Sequence, residues 1–129
     1  MQYEAIVLAI SNKYEDQYTV SINGCNIKCF CYPKEVCGMI QDEKWLVDLD
    51  VLEIVSIEEY FSGEKKIITS ECCFETTLIG IYNAERHSID IGFEFFLESD
   101  LLYDYGYLHN KFVKIIIDRI DIEFIKKCE

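Results

Sequence analysis

The stretch YTVSINGCNIKCFCYP, residues 18–33, holds Cys25, Cys29 and Cys31, and Cys37 follows closely. Thiols at this density could form a metal site, a disulfide cluster or a nucleophile. The spacing argues against a metal. Zinc knuckles let two neighbouring cysteines converge on one ion. In an extended strand the Cys29 and Cys31 side chains lie about 6–7 Å apart, and Cys25 is further still from Cys29. Cys72 and Cys73 would point to opposite faces. Seven cysteines is an odd number, so intramolecular bridges could not use them all.

The remaining reading is packing. Asn23-Gly24 is a strong hairpin signal, because both residues accept the positive φ of a type I′ turn. Counting outward from that turn sets Val20 opposite Ile27 and Tyr18 opposite Cys29. One face then carries Tyr18, Val20, Ile22, Cys25, Ile27, Cys29 and Cys31. A free cysteine packs as a small hydrophobe, so these thiols are expected to be core, with no metal and no cofactor.

Other chemistry is sparse. His87 and His109 fall in expected loops and lack the H-x-x-x-H or H-x-E context of a metal site. No glycine-rich phosphate loop or G-x-S-x-G elbow is present. Asp118, Asp121 and Glu123 read as the solvated face of a strand. No enzyme activity is expected. A cysteine nucleophile remains an alternative, because a nucleophile and its base can be far apart in sequence. The segment LESDLLYDYGYLHN, residues 97–110, sets Tyr103, Tyr105 and Tyr107 among Glu98, Asp100 and Asp104. Tyrosine offers large contact area and a hydroxyl at low entropic cost, so this is a candidate partner-binding surface. The other reading is that these rings pack onto the end of the domain, with their hydroxyls bonded to backbone.

Strand patterns position these residues. They are 4–10, apolar on both faces and so buried between layers or closing a barrel; 43–54; 64–70; 75–82; 88–96; and a long final strand, 111–125. In 43–54, Trp45, Val47, Leu49 and Val51 share a face. In 111–125 the inward set changes parity between Ile117 and Ile120, which predicts a β-bulge at Asp118-Arg119. Ser56-Ile57-Glu58-Glu59 resembles a capping box and predicts one helical turn; a second is expected near Ser99–Tyr103. The expected fold is all-β, a mostly antiparallel barrel or sandwich of about eight strands. At 129 residues the chain is expected to be one domain. An echo between 1–60 and 61–129, each with a long strand opening Lys-aromatic, fits either a duplicated meander or ordinary strand periodicity.

The formal charge is −12, from 12 basic and 24 acidic residues. Such a surface repels phosphate backbones and anionic membranes and attracts basic proteins. The N-terminal run Ala5–Ile10 is too short for a signal peptide, and no run is long enough to span a membrane. A cytoplasmic location with reduced thiols is expected.

The block SIDIGFEFFLESDLLYDYGYLHNKFVKIIIDRIDIEFI resembles the C-terminal half of small uncharacterised bacterial proteins. In size, acidity and lack of catalytic groups the chain is similar to immunity proteins of contact-dependent and other polymorphic toxin systems. The resemblance implies a cytosolic binder that blocks a basic toxin domain, often a nuclease. The alternatives are an OB-like small barrel binding a ligand or single-stranded nucleic acid, and an enzyme with a cysteine nucleophile.

Overall fold

The structure is a computed structural model that describes residues 2–10, 17–31, 42–61, 63–70, 74–97 and 100–128. Cys37, Cys72, Cys73, Glu98 and Ser99 lie outside these. The described chain forms β1 (Gln2–Ile10), β2 (Gln17–Ile22), β3 (Cys25–Phe30), β4 (Lys44–Val51), β5 (Ile54–Glu59), β6 (Lys66–Thr69), β7 (Thr76–Asn83), β8 (Ser88–Asp90), β9 (Glu94–Phe96), β10 (Phe112–Ile117) and β11 (Ile120–Lys127). Asp100–Leu108 makes two short 3-10 turns joined at a kink at Tyr105 (φ −112°, ψ 22°). The fold is all-β as expected, but its eleven described strands are more numerous and shorter than the sequence suggests. Among the described residues, no helix is long and apolar enough to cross a membrane.

The chain divides into two compact units, 1–50 with 120–129, and 51–119. In the first, β1-β2-β3-β11-β4 close into a barrel. β1, β2 and β3 form an antiparallel meander, β3 runs parallel to β11, and β1 closes antiparallel against β4. This is the connectivity of OB barrels, with residues 51–119 placed between the last two barrel strands in the chain. The opening hairpin has the counted register: Tyr18 faces Cys29, Val20 faces Ile27 and Ile22 faces Cys25. Asn23 and Gly24 take φ values of 50° and 80°. Val20, Ile27 and Cys29 are fully buried and Cys31 nearly so, while Cys25, beside the turn, is half-buried. Half-buried Phe124 meets Tyr18 at a tilt and Trp45 edge-on, with ring centroids 5.5 Å and 5.8 Å apart. Of the two readings of 4–10, barrel closure is the one observed: Ala5 and Val7 point inward and Ile6 outward.

In the second unit the order is β5-β10-β7-β8-β9, with β6 also on β7. One face holds Leu78, Tyr82, Ile89, Phe95, Val113 and Ile115, all with no exposed surface. Gly80 sits where a Cβ would overlap the Asp90 carbonyl, so glycine lets β7 and β8 approach.

Four local expectations are corrected. Residues 43–54 are not one strand, since β4 ends at Val51 and β5 begins at Ile54. Ser56–Glu59 is strand rather than a helical turn: β10 offers a full antiparallel ladder that buries Ile54 and Ile57, and this outweighs a local capping signal. Residues 88–96 hide a hairpin. The Asp90 carboxylate accepts the Gly92 N–H at 3.0 Å, Gly92 takes φ 114°, and Asp90 pairs directly with Glu94. The phase change at Asp118-Arg119 is not a bulge within one strand. There the chain leaves the six-stranded sheet and enters the barrel, so Ile117 and Ile120 are both buried but in different sheets. The bulge-like register shifts lie elsewhere, at Leu8 in β1 and at Val55 in β5.

Candidate functional site

The tyrosine-bearing segment stays on the second unit because its ends are apolar. Leu102 and Leu108 are each 1% exposed, and between them Tyr103 is 75% and Tyr107 68% exposed. Asp104 is exposed and Tyr105 half-buried. Burying the two leucines contributes roughly 3–6 kcal/mol to holding the run on the sheet, and backbone hydrogen bonds at its exit add to this. The Lys111 N–H bonds the Leu108 carbonyl at 3.0 Å, and the Asn110 N–H bonds the Tyr82 carbonyl at 2.8 Å. Asn110, with φ 64°, makes the left-handed exit into β10.

The opposite wall is the turn after β7. Asn83 Oδ1 accepts the N–H groups of Glu85 and Arg86, each at 3.0 Å, an Asx turn of the kind Asn favours. His87 (φ 49°) sets its ring edge-on to Tyr103 with centroids 5.1 Å apart. The Ala84 N–H donates to Nδ1 of His109 at 3.0 Å. Arg86 pairs with Glu94 at 2.9 Å and lies over Phe96.

The candidate residues are therefore only partly gathered. The Tyr105 and Tyr107 rings are 6.1 Å apart, while Tyr103 lies against His87. Of Asp100 the backbone alone is described, and Glu98 lies outside the described residues. Strand alternation would have put all three tyrosines on one face. The 3-10 turns and the kink at Tyr105 turn the middle one partly inward. Sequence reasoning missed the two histidines as fasteners of this segment. Their usable signal was position: one lies in each loop that meets here.

No candidate nucleophile stands out among the described thiols. Cys29 is fully buried, and that burial, with Asp121 and Cys31 nearby, pushes its thiol far above the ordinary range. Among the described residues no cluster of metal-ligating side chains occurs. The outward residues of β2 and β3 are Gln17, Thr19, Ser21, Asn26, Lys28 and Phe30, which offer one cation and one ring to a polyanion. At least seven of the chain's 12 basic side chains already pair with carboxylates, so the acidic excess dominates the surface.

A family model matches residues 1–125, and its description is uncharacterised conserved protein UCP019853. No curated protein and no solved structure matches the chain.

Proposed function

We propose, for a chain that belongs to the family of uncharacterised conserved protein UCP019853, that it is a protein-binding module for a basic partner, in the sharper form an immunity protein that neutralises a toxin domain in the cytoplasm. The observation that carries this reading is Tyr103 and Tyr107, 75% and 68% exposed on a segment pinned by two buried leucines. Large apolar rings held out into water on an ordered backbone are pre-organised for contact, so little entropy is lost on docking. Asp104 beside them, with a net charge of −12 behind them, selects a cationic partner. Glu98 and Asp100 are the other acidic residues close by in the sequence.

The test is capture by the tagged chain from its native host, followed by titration of the purified captured protein. The reading expects a basic protein whose affinity falls at least tenfold in Tyr103→Ala/Tyr107→Ala, in line with loss of hot-spot contacts. A captured protein that is acidic, or that binds the variant equally, contradicts it.

A second reading draws on the barrel's connectivity, since OB barrels commonly bind oligonucleotides and oligosaccharides on strands two and three. The sparse charge and aromatic content of that face in β2 and β3 weighs against single-stranded nucleic acid. Gel shift at physiological salt with an oligonucleotide of mixed sequence separates the two, because micromolar binding would favour the barrel.

A further inference from the structure

We infer that neutral His109 is a positioning residue that fastens the exit of the tyrosine-bearing segment to the turn after β7, so that protonating this one ring releases that fastening. The structural part stands by itself; only its consequence for binding rests on the function proposed above.

A backbone N–H has only a hydrogen to offer. The 3.0 Å bond from Ala84 to His109 Nδ1 therefore requires a lone pair on Nδ1, which fixes a neutral ring with its proton on Nε2. An imidazolium carries hydrogens on both nitrogens and would set donor against donor. This bond ties the residue after the 3-10 run to the turn that follows β7. The turn is held by Asn83 Oδ1, so the Ala84 N–H keeps its direction when its acceptor is lost.

The same junction holds the chain's other histidine. The chain has only two, and His87 meets the run through Tyr103. The charged groups on the elements around His109 are Glu85 and Arg86 in the turn, Asp100 and Asp104 in the run, and Lys111 and Glu59 at the adjoining strands. Arg86 is engaged by Glu94 and Lys111 by Glu59, while Glu85 and Asp104 are exposed. The fastening is present where the imidazole is neutral and is lost as acid protonates it. In binding terms, the docking surface would be held more rigidly at neutral pH than in acid.

The test is amide hydrogen exchange and histidine NMR on the whole chain between about pH 8 and about pH 5. The comparison is His109→Asn, whose Oδ1 can take the place of Nδ1 and accepts at any pH. In the wild type, Ala84 protection should fall about tenfold relative to barrel amides such as Val20, as for loss of one ordinary hydrogen bond. The fall should track His109 rather than His87. In His109→Asn the protection should be flat. An equal fall in both proteins overturns the inference. So does an Ala84 amide that stays protected in the wild type while His109 titrates, a result that needs no variant. A partner that binds Tyr103→Ala/Tyr107→Ala normally would count against the function alone, leaving the exchange result to decide the inference.

Discussion

Tyr82 has no exposed surface, and its hydroxyl has no hydrogen-bond partner among the described residues. A buried hydroxyl without a partner costs on the order of 1–3 kcal/mol, and the same burial pushes its phenol upward. Tyr82→Phe should therefore raise stability by about 1 kcal/mol in urea melts, since it removes the hydroxyl and keeps the ring. Asp90 behaves in the opposite sense. The hydrogen bond from Lys65 at 2.7 Å and the Gly92 N–H hold its carboxyl below the usual range. Its contribution is present above the ordinary aspartate range and is lost as pH falls through the lower folded-state value. Asp90→Asn should lower stability near neutrality and flatten the acid limb of the stability profile below about pH 4, where the two proteins converge. Residues were most legible where one local rule fixed them. Asn23-Gly24 set the register that buried Cys29. His109 was opaque because its partner is a backbone amide 25 residues away, and no spacing rule encodes that.

At the scale of elements, alternation located the strands but not their ends. Residues 88–96 concealed a hairpin because Asp90 and Glu94 pair directly, so parity survives the turn. Residues 111–125 showed a broken parity whose cause is a change of sheet, which sequence cannot distinguish from a bulge. The 3-10 run was harder, because its buried positions, Leu102 and Leu108, are too few to reveal a period. Gly106 in that run meets no atom that an added Cβ would crowd, and its φ is not left-handed. Gly106→Ala should stabilise the second unit by about 0.5 kcal/mol, by restricting the unfolded chain, and should leave Tyr107 displayed. Denaturant melts read the first effect. Surface labelling of tyrosines reads the second.

At the scale of the molecule, charge and topology carry different information. The barrel's connectivity is that of a fold with many uses, and fold alone assigns none of them. The charge is more specific. With most cations already paired, an acidic field extends from the surface, steering basic partners in and slowing polyanions. Such steering acts on the association rate and is screened by salt, whereas burial of Tyr103 and Tyr107 acts on dissociation. The two contributions can be separated. The most direct test is the association rate of the captured partner measured from about 0.02 to about 0.5 M salt. The account predicts a fall of at least about tenfold, with a dissociation rate that barely moves. An association rate that stays flat over that range would contradict an acidic docking surface.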